Sequence, residues 1–312
     1  MAAYNLKEWA KRPERFTGGH RLCAGCGETP VVRTLLRALK PEDHAVVSVA
    51  TSCLEVSSFL YPYTAWEDSF IHSAFENVAA TVSGAQATYE AKKRKGESVP
   101  DTKFIAMAGD GGTYDIGLQA LSGAMERGHD MVYVCYDNEA YMNTGIQRSS
   151  SSPIYAATST TPAGSVIPGK TQHKKNLALI IMGHNVPYVA QTLPLGNFRD
   201  MSEKCEKALY TKGAAFLNIL APCPRGWRYA TEKLMEICKL AVETCVWPMY
   251  EIIDGKLTLS YIPKNKLPIV DYLKLQGRFS HMFEKGNEHL LDEYQKQVDK
   301  DWQLLLNLNE MK

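Results

Sequence analysis

The sequence predicts an α/β fold with a doubly wound, mostly parallel sheet, and three observations lead to this prediction. Apolar runs rich in valine and isoleucine alternate with longer segments of helical periodicity along most of the chain. The chain has 312 residues, enough to bury one large α/β core or two ordinary ones. Clusters of glycine, cysteine and asparagine fall where the apolar runs end, and this is the sheet edge at which such folds bind ligands.

Four apolar runs are predicted as buried strands, because they lack the alternation of polar and apolar residues that a half-exposed strand shows. They cover 44–50, 103–109, 131–137 and 214–220. Four further segments with helical periodicity are predicted as crossover helices at 29–40, 75–96, 114–128 and 174–185. The order of strands and helices favours parallel strands joined by helices that cover both faces of the sheet.

Two segments depart from this alternation. Residues 144–173 form a Ser-, Thr- and Pro-rich loop, much longer than typical α/β connections, and its place after a predicted site strand favours a functional role. From about Trp247 the chain contains a hairpin-like piece and a final helix. We therefore predict a domain over 1–246 and a C-terminal extension over 247–312 that packs on the domain, on partner subunits or on both. The final helix has one apolar stripe, made of Leu290, Leu291, Tyr294, Val298, Trp302, Leu305 and Leu306.

Charge and hydropathy limit the classes of partner. Lys and Arg number 35 against 34 for Asp and Glu, so the formal net charge is +1. This balance gives no electrostatic reason to expect a nucleic acid or an acidic membrane surface as a partner. No run reaches the roughly 18 apolar residues of a membrane helix, and the first residues lack the apolar core of a signal peptide. We expect a cytoplasmic protein with reduced thiols.

A glycine-flanked aspartate, Gly109-Asp110-Gly111-Gly112, follows one predicted strand. The N–H groups that open the next helix attract phosphate, but an aspartate approaches phosphate favourably only through a cation such as Mg²⁺. The next predicted strand ends at Asp137-Asn138, and Asn138 offers an amide oxygen and Ala140 a backbone carbonyl. The glycine motif alone could be a tight turn with a capping aspartate. Together with Asn138 it is typical of the diphosphate–Mg²⁺ site of thiamine diphosphate (ThDP) enzymes.

The eight cysteines fall into two sets. One set lies in apolar or helical surroundings, where buried structural thiols are expected: Cys135, Cys205, Cys238 and Cys245. The other set lies among glycines, prolines and small polar residues: Cys23, Cys26, Cys53 and Cys223. A Cys-x-x-Cys pair with two distant cysteines suits either a tetrahedral zinc ion or a 4Fe–4S cluster. The ThDP motif favours the cluster, because a nearby cluster can remove electrons from a 2-oxo acid that ThDP has activated.

With both motifs in one chain, the sequence resembles the ThDP-binding β subunits of pyruvate:ferredoxin oxidoreductases, in the 2-oxoacid:ferredoxin oxidoreductase superfamily. The resemblance runs from about Gly18 to Trp227 and continues more weakly through YLKLQGRF near the C-terminus. It rests on long motifs in one order: HRLCAGCGE, CLEVSSFLYPYTAW, IHSAFENVAAT, GDGGTYDIGLQALSGAMERGHD and NEAYMNTGIQRSS. It implies the diphosphate-domain fold and a reversible conversion of pyruvate and CoA to acetyl-CoA, CO₂ and reduced ferredoxin.

The resemblance also implies the ligands of three cofactors. The 4Fe–4S cluster nearest ThDP would be bound by Cys23, Cys26, Cys53 and Cys223. Mg²⁺ would be bound by the Asp110 and Asn138 side chains and the Ala140 carbonyl, and the diphosphate would be admitted by Gly109, Gly111 and Gly112.

Other matching positions would contact ThDP itself, namely Glu28, the backbone around Cys53, and Tyr141. Asn143 matches an asparagine near the reactive thiazolium carbon, where its amide N–H would act as a catalytic group by stabilising a developing oxyanion. Each has a structural alternative: Glu28 could be a first-turn helix charge, and Asn143 a turn residue.

Partners follow from the same resemblance. ThDP enzymes need a glutamate from a pyrimidine-binding domain, and in this family that domain belongs to the α subunit. The resemblance further implies γ and ferredoxin-like δ subunits or domains, ferredoxin as electron acceptor, and CoA as co-substrate. We therefore expect the chain to be inactive alone, with no nucleic-acid or membrane partner.

Several alternatives stay open at this point. Within the family, oxalate, 2-oxoisovalerate or 2-oxoglutarate could replace pyruvate, because the pocket residues lie largely on the partner chain. A non-redox ThDP lyase or decarboxylase with structural zinc is an alternative of another class. A non-catalytic scaffold is disfavoured, because every position of the metal motif is intact.

Overall fold

The computed structural model describes residues 5–195 and 198–311. In chain order its strands are β1 (His44–Ala50), β2 (Phe59–Leu60), β3 (Tyr63–Thr64), β4 (Ser69–Ser73), β5 (Thr102–Gly109), β6 (Met131–Asp137), β7 (Tyr188–Thr192), β8 (Ala214–Leu220), β9 (Tyr250–Ile253) and β10 (Lys256–Leu259). The α-helices are α1 (Leu6–Lys11), α2 (Glu28–Arg37), α3 (Cys53–Ser58), α4 (Val78–Arg94), α5 (Leu118–Arg127), α6 (Leu177–Met182), α7 (Arg199–Tyr210), α8 (Pro224–Trp227), α9 (Leu234–Glu243), α10 (Val270–Leu273) and α11 (Glu288–Glu310). A π-helix covers Gly111–Ile116, and 3₁₀-helices cover Thr231–Lys233 and Gly277–Phe283.

One large sheet organises the described part of the chain. Its strand order is β10-β9-β7-β8-β6-β5-β1-β4. The run from β7 to β4 is parallel throughout, whereas β9 pairs antiparallel with β7 and β10 antiparallel with β9. The predicted α/β fold with a mostly parallel sheet is therefore confirmed. The short strands β2 and β3 form a separate hairpin.

Alternate residues of the central strands face two different layers of helices. On one face, Val47, Ile105 and Val132 pack with residues of α2 and α7. On the other, residues such as Phe104 and Tyr133 pack with α4, α5, α6 and Leu305 of α11. Both faces are thus covered, which explains why these strands read as continuous apolar runs.

The four predicted strands are confirmed as β1, β5, β6 and β8. Strands β4 and β7 were not predicted, since SFIHS and YVAQT are short and contain polar residues. The predicted helix at 114–128 is divided at Gly117 into the π-helix and α5. The predicted helix at 174–185 is shorter: the Asn176 side chain caps α6 by accepting the Leu179 N–H at 3.3 Å, and α6 ends at Met182.

The C-terminal segment continues the same sheet. The predicted hairpin is β9–β10, and β9 pairs with β7 of the segment preceding Trp247. On α11, the apolar stripe contributes Leu290, Tyr294 and Val298 to a third core cluster with Trp227 and Phe279. The stripe therefore packs on the body of its own chain. Within residues 5–195 and 198–311, no helix is long and apolar enough to cross a membrane.

Candidate functional site

The two residues predicted to bind the metal through their side chains lie next to each other at the carboxyl edge of the sheet. Strands β5 and β6 are neighbours, with Gly109 opposite Tyr136, so the residues that follow them emerge side by side. The Asn138 backbone N–H donates to Asp110 Oδ1 at 3.3 Å. Asp110 is fully buried and Asn138 nearly so. The structure thus brings Asp110 and Asn138 together as the sequence predicts.

The Asp110 carboxylate lies in an acidic and buried environment. Burial raises its pKa well above the usual range, and the neighbouring Asp137 carboxylate raises it further. The Ser149 hydroxyl donates to Asp110 Oδ2 at 2.5 Å and partly offsets this effect. A bound divalent cation would favour the ionised carboxylate in the same place. The charge environment therefore suits a metal ligand.

An unpaired oxygen marks the neighbouring position. The Asn138 amide nitrogen donates to Glu28 Oε1 at 2.9 Å, which leaves the amide oxygen Oδ1 buried with no hydrogen-bond partner among the described residues. Buried polar atoms normally have partners, and a neutral amide oxygen is a hard ligand of the kind that Mg²⁺ takes. The donor set of Asp110 and Asn138 thus fits a magnesium ion.

Glu28 links this site to the cysteines. It begins α2, is fully buried, and keeps Oε2 without a partner in the described structure. Burial raises the pKa of Glu28 to about 7, although the hydrogen bond from Asn138 opposes the shift. Its charge raises the pKa of Cys26, Cys53 and Cys223, so it lies between the two predicted cofactor sites.

The glycines after β5 are needed for close approach. A Cβ at Gly111 would lie 2.4–2.6 Å from the Tyr141 ring, and one at Gly112 would lie 2.9 Å from the Phe75 carbonyl oxygen. The Tyr141 hydroxyl donates to the Gly111 carbonyl at 2.9 Å. The cavity between the glycine turn and residues 138–144 holds about 20 Å³. A diphosphate therefore fits there only after the Tyr141 ring turns away from Gly111.

The helix that follows Asp110 begins irregularly. Residues Gly111–Ile116 form a π-helix, and the Thr113 hydroxyl donates to the Gly109 carbonyl at 2.7 Å. A Cβ at Gly117 would lie 2.0 Å from the Gly112 carbonyl oxygen, so this turn also requires glycine. Single π-turns occur frequently at functional sites. The irregular turn places the backbone of Gly111 and Gly112 directly behind Asp110.

The segment after β6 holds the remaining predicted residues. Glu139 has a left-handed backbone conformation with φ of 66°, Ala140 is buried and Asn143 is exposed. Asn143 and Cys53 line the same small cavity beside the glycine turn. Asn143 therefore lies where the predicted cluster ligands and the predicted ThDP site meet.

The four predicted cluster ligands lie at one corner of the molecule. Cys53 begins α3 after β1, and Cys223 caps α8 after β8. Gly27 binds the Cys-x-x-Cys turn to the Cys223 segment, because its N–H donates to the Pro222 carbonyl at 2.9 Å. The Tyr229 hydroxyl donates to the carbonyls of Gly25 and Pro222, each at 3.0 Å. These contacts hold the Cys-x-x-Cys turn against the Cys223 segment. The Arg21 N–H also donates to the Ser57 carbonyl of α3 at 2.8 Å, which joins the chain before Cys23 to the helix that begins at Cys53.

The thiols influence one another electrostatically. Burial raises the pKa of Cys26, Cys53 and Cys223, and neighbouring cysteines add to each shift. Cys23 is exposed. In the described ranges, no group of three or more His, Cys, Asp or Glu side chains has the spacing of a formed metal site. Thiols must lose their protons to bind metal, so metal binding would both order and ionise this group.

Three residues that no sequence pattern predicted contact the segment from Asp137 to Glu139: Lys174, Arg278 and Trp227. Lys174 Nζ lies 2.9 Å from Asp137 Oδ2 and 3.1 Å from Glu139 Oε1. Arg278 Nη2 lies 2.6 Å from Glu139 Oε2. Burial alone would raise the pKa of Glu139, but Lys174 and Arg278 hold it below the usual value. The Trp227 indole N–H donates to the Asn138 carbonyl at 2.8 Å.

Four consecutive serines of the Ser-rich loop lie in the interior beside the site. Ser149, Ser150, Ser151 and Ser152 are all buried. Their hydroxyls donate, in order, to Asp110, Asp115, Asp137 and the Glu139 carbonyl. Lys170 Nζ donates in turn to the Ser152 carbonyl. The only sequence signal for this arrangement was four consecutive serines directly after the site strand and its loop.

Comparisons with known proteins agree with this geometry. The family described as thiamine pyrophosphate enzyme, C-terminal TPP binding domain, matches residues 49–219. Pyruvate synthase subunit PorB of Thermotoga maritima is 47% identical over 309 residues, which cover 98% of this chain and 95% of that protein. Ketoisovalerate oxidoreductase subunit VorB of Pyrococcus furiosus is 40% identical over 311 residues, which cover 98% of each chain.

A solved structure shares the fold. A chain of the 2-oxoglutarate:ferredoxin oxidoreductase from Magnetococcus marinus, solved with 2-oxoglutarate, coenzyme A and succinyl-CoA bound, aligns with a TM-score of 0.57. The alignment covers 93% of this chain and 96% of that one at 21% identity. Similarity at that identity extends to the architecture of the sheet and its helices.

Proposed function

This chain belongs to the ThDP-binding β subunits of the pyruvate synthase type in the 2-oxoacid:ferredoxin oxidoreductase superfamily, and from that premise we propose that it binds ThDP, Mg²⁺ and one 4Fe–4S cluster. In the assembled enzyme these groups serve the oxidative decarboxylation of pyruvate with CoA. The products are acetyl-CoA and CO₂, electrons pass to ferredoxin, and the reaction is reversible.

One observation carries the metal part of this proposal. The Asn138 amide oxygen is buried beside the Asp110 carboxylate and has no partner in the described structure. Asp110, Asn138 and the Ala140 carbonyl would hold Mg²⁺, and a diphosphate would approach Gly109, Gly111 and Gly112 once the Tyr141 ring had turned away. When bound, ThDP supplies the electron sink that decarboxylation of a 2-oxo acid requires.

The chain's own side chains would then orient and shield the reacting groups. Tyr141 would turn from Gly111 and pack beside the cofactor instead. Glu28 would contact the cofactor from its buried position next to Asn138. Asn143, which lines the same cavity as Cys53, would direct its amide N–H at the oxygen of the bound substrate, where it acts as a catalytic group.

The cluster proposal rests on the corner that joins three cysteine segments. The contacts of Gly27 and Tyr229 hold the Cys23–Cys26 turn beside the Cys223 segment. Burial raises the pKa of Cys53, and the neighbouring Cys223 and Cys23 thiols raise it further. Four thiolates suit a 4Fe–4S cluster, and a ThDP enzyme that removes electrons needs such an acceptor nearby. The same four thiolates would also suit zinc, so the metal must be identified by analysis.

Pyruvate is proposed as the substrate because the relative from Thermotoga maritima, at 47% identity, is a pyruvate synthase subunit. The ketoisovalerate oxidoreductase subunit at 40% identity keeps 2-oxoisovalerate as the second candidate. The proposed partners are an α subunit with the pyrimidine-binding domain, and γ and ferredoxin-like δ subunits or domains. Ferredoxin would accept the electrons.

A comparison of two aspartates tests the proposal. Asp110 would bind Mg²⁺, whereas Asp115, on the π-helix that follows Asp110, contacts Ser150 and Lys175 and is not a proposed ligand. The complex carrying Asp110→Ala should lose ThDP on gel filtration in Mg²⁺ buffer, and the complex carrying Asp115→Ala should retain it. Iron near four atoms per wild-type chain is expected for one cluster. Zinc in place of iron would refute the redox assignment, and ThDP retained by Asp110→Ala would refute the metal site.

A further inference from the structure

We propose that Arg278 is a positioning residue for metal binding, which acts through Glu139 to fix the orientation of Asn138 and Ala140. This inference rests on the proposed function, because it assigns a role toward the same Mg²⁺ site. Arg278 follows Gly277 in the QGRF segment, more than a hundred residues after Asn138 in the chain. Its placement at the back of the site depends entirely on the tertiary fold.

The Arg278 guanidinium is held rigidly in the interior. Only 2% of the residue is exposed. Nη2 donates to Glu139 Oε2 at 2.6 Å and to Gln276 Oε1 at 2.7 Å, and Nε donates to Gln276 Oε1 at 2.9 Å. The guanidinium carbon lies 3.9 Å from the centre of the Trp227 ring. A planar group that is both stacked and hydrogen-bonded fixes its partner's position in a way that a flexible lysine cannot.

Glu139 connects the fixed Arg278 side chain to the proposed metal ligands. It lies between Asn138 and Ala140, and its left-handed backbone, with φ of 66°, is unfavourable by about 1–2 kcal/mol for a residue with a side chain. Contacts on three sides hold that conformation. The side chain pairs with Arg278 and Lys174, the N–H donates to Asp137 Oδ1 at 3.0 Å, and the carbonyl accepts the Ser152 hydroxyl at 2.6 Å.

The backbone angles of Glu139 decide where its neighbours point. If Glu139 relaxed toward a right-handed conformation, the peptide that carries the Ala140 carbonyl and the chain leading from Asn138 would both rotate. The two proposed ligand oxygens would then no longer converge with Asp110. Loss of the Arg278 contact would therefore weaken metal binding without removing any ligand.

A second contact reaches Asn138 from the other side. Trp227, on which Arg278 stacks, donates its indole N–H to the Asn138 carbonyl at 2.8 Å. The Arg278 carbonyl also accepts the Ala157 N–H at 3.0 Å, which joins the Ser-rich loop to the same segment. Arg278 thus holds residues 138–140 in place through its contacts with both Glu139 and Trp227.

Two acidic side chains next to the proposed ligands are paired with two basic side chains. The carboxylates of Asp137 and Glu139 face the cations Lys174 and Arg278 in the interior. Without Arg278, Lys174 alone would serve both carboxylates. A buried charge that loses its partner is strongly destabilising, so the Glu139 side chain would move and its backbone would follow.

The test measures the Mg²⁺ concentration at which the assembled complex half-maximally retains ThDP, together with turnover at saturating Mg²⁺ and the midpoint of thermal unfolding. The variants are Arg278→Gln, Arg278→Lys and Glu139→Gln. Ile237→Val is the control, because Ile237 is an apolar, fully buried residue of the same core cluster as Trp227, whereas Phe279 lies against the Arg278 guanidinium itself.

Arg278→Gln is expected to raise the half-saturating Mg²⁺ concentration about tenfold, which corresponds to about 1.4 kcal/mol, and to lower turnover at saturating Mg²⁺ by much less. Arg278→Lys keeps the positive charge but loses the planar group that stacks on Trp227, so it should raise the half-saturating Mg²⁺ concentration by about threefold. The double variant Arg278→Gln, Glu139→Gln should differ little from either single variant, since the two residues act as one pair. Ile237→Val should lower the unfolding midpoint, because it removes a buried methyl group, while leaving the Mg²⁺ requirement unchanged.

Three results would overturn the proposal. One is a Mg²⁺ requirement in Arg278→Lys and Arg278→Gln equal to that of the wild type. Another is an increase in the Mg²⁺ requirement of Ile237→Val as large as that of Arg278→Gln, which would mean a purely structural role. If Arg278→Gln fails to assemble, Arg278→Lys alone decides. ThDP retention that is independent of divalent cations in the wild-type complex would refute the proposed function as well, and so separates that failure from a failure of Arg278 alone.

Discussion

Replacing Gly27 by alanine should prevent assembly of the cluster without altering any cysteine. A Cβ at Gly27 would lie 2.6 Å from the Ala221 carbonyl carbon and the Pro222 nitrogen, and 2.8 Å from the Ala221 Cα. These are backbone atoms of the segment that leads to Cys223. Carbon atoms in contact lie about 3.5–4.0 Å apart, so the two segments would have to separate by about 1 Å.

That displacement acts directly on the predicted ligand set. It would stretch the hydrogen bond from the Gly27 N–H to the Pro222 carbonyl and move Cys23 and Cys26 away from Cys223. Overpacking of this kind destabilises by about 1–3 kcal/mol, which a domain of this size can tolerate. We therefore expect a folded protein that binds much less iron.

The assay is iron and sulfide content per chain after anaerobic reconstitution, with thermal unfolding measured in parallel. Gly84→Ala is the control, because a Cβ there meets open space on the exposed side of α4 and alanine is the better helix former by about 1 kcal/mol. It should keep full iron and an equal or higher unfolding midpoint. Gly27→Ala with the full iron content and visible absorbance of the wild type would refute the placement of both cysteine segments around one cluster.

Four further predictions follow from the site. Cys53→Ser should lose iron and ferredoxin reduction. Cys205→Ala, at a buried position of α7 in the core, should affect stability alone. Equal iron in the two variants would exclude Cys53 as a ligand. Ser149→Ala removes the hydroxyl that donates to Asp110 and should weaken Mg²⁺-dependent ThDP binding by about 1 kcal/mol, or roughly fivefold; an unchanged Mg²⁺ titration would contradict this. The amides of residues 149–152 should be protected from hydrogen exchange in the isolated chain, since these residues are buried; fast exchange there would support a mobile lid instead. Removal of divalent cations with EDTA should release ThDP from the wild-type complex and Mg²⁺ should restore its binding, whereas retention in EDTA would argue against a bridging cation.

Local sequence patterns were sufficient to predict most of the fold and the convergence of Asp110 and Asn138. The apolar runs of β1, β5, β6 and β8 are continuous because helices cover both faces of the sheet, and that property is visible in the sequence. The convergence of Asp110 and Asn138 followed from their positions after two such strands. Strand β7 could not be found in the same way, because YVAQT reads as a strand only when β8 and β9 lie on either side of it.

The basic side chains that contact Asp137 and Glu139 come from distant parts of the chain, so no local sequence pattern reveals them. Arg278 reaches Glu139 from a segment 139 residues later in the chain, and Lys174 reaches Asp137 across the Ser-rich loop. Most of residues 159–167 in that loop are exposed, as is usual for long polar loops. Ser149, Ser151 and Ser152 are instead buried, since each hydroxyl can satisfy a carboxylate or carbonyl that would otherwise be unpaired.

The most direct test of the central claim is the rate of ferredoxin reduction by this chain, alone and assembled with its partner subunits, with pyruvate, 2-oxoisovalerate, 2-oxoglutarate and oxalate as substrates. ThDP, Mg²⁺, CoA and a reconstituted cluster are supplied throughout. The assembled complex should reduce ferredoxin with the highest kcat/KM for pyruvate, and the isolated chain should show no substrate-dependent reduction. Turnover by the isolated chain, with other subunits excluded by mass spectrometry, would contradict a site shared with a pyrimidine-domain partner, and a complex that prefers another 2-oxo acid would contradict the assignment of pyruvate.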